Sequence, residues 1–250
     1  RYDDADAFVA FMTHGQPPRP SNMRTIVAIN EGRVPSAEDR PTAPEFAPDE
    51  VADRLAAGAI ALDVRPWERF EAGHVPESIH VAATSASFEQ YVGWIVPEDG
   101  PLIVVADSAR AALDATRKLA FVGLDLRVIG HVTIEAWQGA GRAVRSTPPV
   151  PVEELRDRLD RDVRVLDVRE RDEFEAGHIP GARHMNFKHL PGELRALPFE
   201  TDETLAVVCA GGLRSAIACS VLRRAGYHDA RNVDGGMDAW SRAGLPTATP

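Results

Sequence analysis

The chain has 250 residues, of which 44% are hydrophobic and 26% charged, a composition for one large or two modest globular domains. Its net charge of −10 argues against generic nucleic-acid binding. No apolar run is long enough for a transmembrane helix, and no signal-peptide core follows Arg1.

The chain opens on Arg1 rather than Met, which reads as a piece of a longer or processed protein. Ala5 to Thr13 predicts a helix with Phe8, Phe11 and Met12 on an apolar face. Gln16-Pro17-Pro18-Arg19-Pro20 ends it. A second short helix is expected from Met23 to Asn30. This leading piece is too small to fold alone and must pack on something else. His14 has no companion ligands, so no metal is expected there.

A proline-rich linker, Pro41 to Pro48, precedes an ordered series of elements. The series is a helix at 50–57, a strand at 60–64 and a short helix ending at Gly73. Then follow a proline turn, a buried strand at 102–105, a helix at 109–121, a strand at 126–129 and a helix carrying Trp137. A second proline-rich linker spans Arg145 to Pro151. The series then recurs: helix 152–159, strand 163–168, a short helix before His178, strand 205–208, helix 215–224, strand 230–233 and a helix carrying Trp240.

The recurrence is literal. Ala61-Leu62-Asp63-Val64-Arg65 returns as Val165-Leu166-Asp167-Val168-Arg169, and Phe70 to Pro76 returns as Phe174 to Pro180, both 104 residues on. Trp137 and Trp240 are 103 apart. This period matches a duplicated domain rather than a solenoid repeat. The expected division is an extension at 1–42, a first domain at 43–145 and a second at 151–250. Alternating strands and helices imply an α/β fold, each domain a parallel β-sheet with helices on both faces. Reactive groups then lie beyond the carboxyl ends of the strands.

Cys209 stands at such an end. It begins Cys209-Ala210-Gly211-Gly212-Leu213-Arg214-Ser215, between the strand Leu205 to Val208 and the following helix. A helix N-terminus and a nest of turn amides both favour a thiolate, the nucleophilic form of cysteine. Gly211 and Gly212 let the backbone curl toward the sulfur. Arg214 sets a cation beside an anionic substrate. Ser215 can cap the helix or bond the sulfur. Cys219 reads as a small buried core residue. Two cysteines are too few for a disulfide framework or a zinc site and fit a reducing, cytoplasmic setting.

Asp167 and Arg169 have two readings: Asp167 supporting the site with Arg169 binding substrate, or a structural ion pair. The second is favoured because Asp63 and Arg65 repeat the motif in a half without the cysteine. His178 and its counterpart His74 read as structural. Arg183, His184, Lys188 and His189 form a basic stretch suited to recruiting anions or simply to solvation. In the first half the loop is Ala106-Asp107-Ser108-Ala109-Arg110-Ala111. Ala106 replaces the cysteine, Ala111 replaces Arg214 and the glycines are gone. That half is expected to be unreactive and to serve as a docking face.

Four blocks resemble the rhodanese domain family: Leu166 to Arg169, Glu175 to Ala182, the Cys209 to Ser215 loop, and Asp234-Gly235-Gly236-Met237-Asp238-Ala239-Trp240. The resemblance implies a sulfurtransferase in which Cys209 is catalytic and carries sulfane sulfur as a persulfide. Ala210, Gly211, Gly212, Leu213, Arg214 and Ser215 would bind the substrate, a small sulfur-containing anion such as thiosulfate or a persulfide such as that of glutathione. No cofactor is implied. Four residues separate Cys209 from Arg214, against five in the similar cradle of tyrosine phosphatases, so the ring is sized for one sulfur atom rather than phosphate. A non-turnover persulfide sensor or scaffold is the alternative. The leading piece, through Asp6-Ala7-Phe8, Phe11, Gln16 to Pro20, Asn22-Met23 and Asn30-Glu31-Gly32, is similar to the tail of a metallo-β-lactamase-fold persulfide dioxygenase. That family continues into rhodanese domains in some members, which implies such a domain as a partner. Its metal-binding motifs are not in this sequence.

Overall fold

A computed structural model of the chain describes residues 4–13, 20–34, 43–159 and 161–250. His14 and the break at Gln16 to Arg19 lie outside the described residues.

Two helices lead, α1 (Ala5–Thr13) and α2 (Met23–Asn30). The first half follows as α3 (Pro48–Ala56), β1 (Ile60–Asp63), α4 (Trp67–Ala72), β2 (Ile79–His80), α5 (Phe88–Ile95), β3 (Leu102–Ala106), α6 (Ala109–Leu119), β4 (Val128–Thr133) and α7 (Ile134–Gly139). The second half is α8 (Val152–Arg158), β5 (Val163–Asp167), α9 (Arg171–Ala176), β6 (Arg183–His184), α10 (Leu190–Glu193), β7 (Thr204–Val208), α11 (Leu213–Arg224), β8 (Ala230–Asn232) and α12 (Gly236–Arg242). Each half has its own parallel four-stranded sheet, in the orders β2-β1-β3-β4 and β6-β5-β7-β8.

The strand expected at 126–129 is displaced. Leu124–Arg127 forms a 3₁₀ turn instead, entered through Gly123 in the left-handed region at φ 71°. Arg127 holds that turn by donating to the carbonyls of Pro97, Asp99 and Gly100. The strand therefore starts at Val128.

Period-two alternation sorts the strand residues between two cores. Ala61, Ile103, Val105 and Val132 face an outer core with Trp137, as Val163, Val165, Ala206 and Val208 do with Trp240. The opposite faces, with Leu62, Val104, Leu166, Val207 and Cys209, enter one core shared by both halves.

Helix α11 lies at the centre of that shared core. Nine of its twelve residues are buried, including Ala216, Ala218, Cys219 and Ser220. Small side chains let sheet and neighbour approach from two sides, so the helix carries no single apolar stripe. Its counterpart α6 buries only Ala112, Ala115 and Leu119. The backbone N–H of His80, on the edge strand β2, donates to Ser220 Oγ at 3.0 Å. Arg223 donates to Thr147 Oγ1 at 2.7 Å, and Arg224 to the Glu77 carbonyl at 3.0 Å. The first half thus docks on the back of the helix whose front end carries the Cys209 loop.

Candidate active site

Cys209 follows β7 directly and is 1% exposed. The turn into α12 holds the loop from behind. Met237 N–H donates to the Cys209 carbonyl at 2.8 Å and Asp238 N–H to the Ala210 carbonyl at 3.0 Å. This approach requires glycine at 236. A Cβ there would sit 2.4 Å from Cys209 O and 2.5 Å from Ala210 O, on a backbone already at φ 57°. The Asp234-Gly235-Gly236-Met237 block is therefore the rear support of the loop.

Within the cradle, Gly212 N–H donates to Cys209 Sγ at 3.1 Å. Gly212 has φ 103°, a conformation glycine adopts without strain, and it caps α11. Ser215 Oγ lies 3.2 Å from Sγ, 3.2 Å from the Gly212 carbonyl and 2.6 Å from Asn232 Oδ1. A hydroxyl has one proton to give. The short contact assigns it to Asn232, whose Nδ2 in turn donates to the Gly212 carbonyl at 3.1 Å. Asn232 is fully buried on β8 and braces both Ser215 and the loop backbone. The sequence reading missed it. The available signal was an asparagine in the strand leading to Asp234-Gly235-Gly236, two positions before Asp234.

Arg214 is gripped by Glu173 on α9. Its Nη1 and Nη2 donate to the two carboxylate oxygens at 2.6 and 2.8 Å. The hydrogen-bonded guanidinium holds the Glu173 carboxyl below its ordinary range, and Glu173 chiefly holds Arg214 protonated. Glu173 was another residue the sequence reading passed over.

Asp167 and Arg169 form a buried clasp. Arg169 Nε donates to both Asp167 oxygens at 3.0 Å, and Nη2 to Asp167 Oδ2 and the Gly177 carbonyl, each at 2.7 Å. Arg65 repeats these bonds on Asp63 and the Gly73 carbonyl. The same buried clasp is present in the half with the cysteine and in the half without it.

His178 stacks on Phe174 with centroids 3.8 Å apart and its Nδ1 is 3.0 Å from the Phe174 carbonyl. His74 does the same on Phe70. Three residues of the basic stretch have local partners. His184 bonds the Arg169 carbonyl, Lys188 pairs with Glu170 at 2.6 Å, and His189 lies 3.7 Å from Glu193.

In the first half, Asp107 pairs with Arg69 at 2.8 Å and Ser108 Oγ accepts from the Ala111 N–H as the cap of α6. Both side chains are thus committed to holding the loop. Tyr91 on α5 of that half packs edge-on against Phe187 of the second half, with ring centroids 5.2 Å apart. Among the described residues, no group of three or more His, Cys, Asp or Glu is arranged to hold a metal, and no helix is long and apolar enough to cross a membrane.

A family model for the rhodanese-like domain matches residues 47–138 and 151–243. A sulfurtransferase of Allochromatium vinosum is 35% identical over 100 residues, covering 39% of this chain and 92% of that protein. The putative sulfur carrier protein YrkF of Bacillus subtilis is 28% identical over 116 residues, 46% of this chain. The match spans 62% of that relative's length. Among solved structures, a rhodanese-related protein from Thermoplasma volcanium is similar at 30% identity. It covers 41% of this chain and 99% of its own, with a TM-score of 0.38.

Proposed function

The chain belongs in both halves to the rhodanese-like domain family, and from that premise we propose that it is a sulfurtransferase working through a persulfide on Cys209. The observation that carries this reading is the buried Sγ with the Gly212 N–H donating to it at 3.1 Å at the mouth of α11. A fixed backbone donor suits a sulfur anion in a confined space.

The cycle has two displacements. The Cys209 thiolate attacks the outer sulfur of a donor R–S–SH. A bond forms from Sγ to that sulfur, the donor S–S bond breaks, and its electron pair leaves on RS⁻. The Cys209 persulfide anion is then attacked at its outer sulfur by a thiol or other nucleophile, and Sγ departs again as thiolate. With thiosulfate as donor the leaving group is sulfite. Sulfur is transferred without net oxidation, so no cofactor enters. The first half, with Ala106 in the nucleophile's place, supplies the rear packing of α11.

The same proposal takes residues 1–42 as the tail of a metallo-β-lactamase-fold persulfide dioxygenase domain, and the cytoplasm as the setting. Support for the former is the resemblance carried by Asp6-Ala7-Phe8, Asn22-Met23 and Asn30-Glu31-Gly32. Support for the latter is that both cysteines are free thiols.

Steady-state turnover tests the reading. Sulfur should pass catalytically from thiosulfate or glutathione persulfide to a thiol acceptor, and Cys209→Ser should abolish it. A single stoichiometric modification without turnover would make the protein a sensor instead.

A further inference from the structure

The loop around Cys209 contains one charged residue, Arg214, since Ala210, Gly211, Gly212, Leu213 and Ser215 are uncharged. That cation is already engaged. Glu173 takes both of its terminal nitrogens, at 2.6 and 2.8 Å, in the bidentate geometry that holds a guanidinium most firmly. Glu173 is itself held in place, because its Oε2 accepts the Glu170 N–H at 3.1 Å in the capping box of α9. The pair is largely shielded, with side chains 17% and 31% exposed. Other cations near α9 are paired too, Lys188 with Glu170 and Arg169 with Asp167.

The first half provides an internal comparison. Arg69, which is 104 residues before Glu173, reaches from α4 to Asp107 in that half's loop at 2.8 Å. Both halves therefore tie the short helix to the loop by an ion pair, but with opposite polarity. The tie alone is structural and common to both. Its polarity in the second half puts a carboxylate against the loop's one cation.

A neutral pair offers a doubly charged oxyanion little net attraction, and the carboxylate repels it directly. The persulfide of an uncharged thiol brings at most one charge. Resting on the sulfurtransferase reading above, we propose that Glu173 is a specificity-determining residue. By neutralising Arg214 it biases the Cys209 loop toward thiol persulfides and against dianionic thiosulfate. In the favoured step Sγ bonds to the outer sulfur of R–S–SH while the donor S–S bond breaks onto RS⁻, which takes up a proton from solvent.

The test is Glu173→Gln, which keeps the side chain's size and one acceptor but removes the charge. Donor kinetics would be measured with thiosulfate and with the persulfide of an uncharged thiol, 2-hydroxyethyl persulfide, against the same acceptor. The ratio of kcat/KM for thiosulfate to that for the persulfide should rise by about tenfold or more, mainly through a lower KM for thiosulfate. Glu173→Asp, which retains the charge, should leave that ratio near its original value. A purely structural role would lower kcat for both donors together and leave the ratio unmoved, and that result would overturn the proposal. Should Glu173→Gln fail to fold, the unaltered protein still decides. Its kcat/KM for thiosulfate should change little between roughly 0.05 and 0.5 M salt, and a steep fall would contradict a neutralised site. Mass analysis separates the two levels of failure. If neither donor adds sulfur to Cys209, the sulfurtransferase reading falls and this proposal with it; if sulfur is added but the ratio does not move, only the role of Glu173 is lost.

Discussion

Asn232 connects the chemistry of single residues most tightly. Its amide oxygen takes the Ser215 proton at 2.6 Å and its amide nitrogen serves the Gly212 carbonyl at 3.1 Å, all in a fully buried setting. Asn232→Ala strands two buried polar groups, each of which costs about 1–3 kcal/mol when unsatisfied. It also frees the Ser215 hydroxyl to turn. The variant should melt lower and load sulfur onto Cys209 about tenfold more slowly; unchanged loading kinetics, read by rapid-quench mass analysis, would remove Asn232 from the site. The loop itself was legible because its chemistry is contiguous: cysteine, glycines, arginine and serine stand within seven positions. Asn232 and Glu173 were not, because each meets the loop only through strand register and helix placement, 17 and 41 residues away from the groups they bond. The internal duplicate helped most with Asp167 and Arg169, since a motif kept beside Ala106 is explained by folding rather than by reaction.

At the scale of elements, the seam between α4 and α11 is where titration should be felt. Glu71 on α4 is buried, and burial pushes its carboxyl up to about 7, with Arg223 of α11 opposing. Burial also lowers His74 to about 4 and His80 to about 3. The signs are opposite. Glu71 binds its proton more tightly folded than unfolded, so its contribution is full below 4.5, its ordinary value, and is lost as pH rises through about 7. The histidines contribute fully above their ordinary 6.5 and lose that contribution as pH falls toward about 4 and 3. Glu71→Gln removes only the first effect. The Tm of the variant minus that of the parent should therefore be more positive at about pH 8 than at about pH 5. The reverse order would show that Glu71 is ionised in the fold. Most strands and helices were legible from alternation and capping signals. The burial of α11 on all sides was not, because Ser215, Ala216, Ala218, Cys219 and Ser220 are small rather than strongly apolar. Such a helix is recognised only once a second surface is seen against it. The displaced strand at Val128 had a similar cause, since the Arg127 bonds that hold the preceding turn reach back 27 to 30 residues.

For the whole molecule, the duplication has produced two sheets that share one core. One core runs through both halves, so the first half packs against the helix behind Cys209. Heat or denaturant should accordingly unfold the two halves in one transition, with fluorescence of Trp137 and Trp240 and circular dichroism coinciding. Two resolved transitions would mean that the shared core does not couple them. The repeat and the parallel sheets were plain in the sequence, whereas the way the halves dock was not, because the docking residues are scattered among Ile79, His80, Ile217, Ser220 and Leu222. The account stands on the claim that Cys209 carries transferable sulfur. Intact-protein mass spectrometry after exposure to glutathione persulfide, followed by a thiol acceptor, tests it most directly. The prediction is the mass of one added sulfur, mapped to Cys209, lost on adding the acceptor and never formed in Cys209→Ser. No added sulfur, or the same addition in Cys209→Ser, would contradict it.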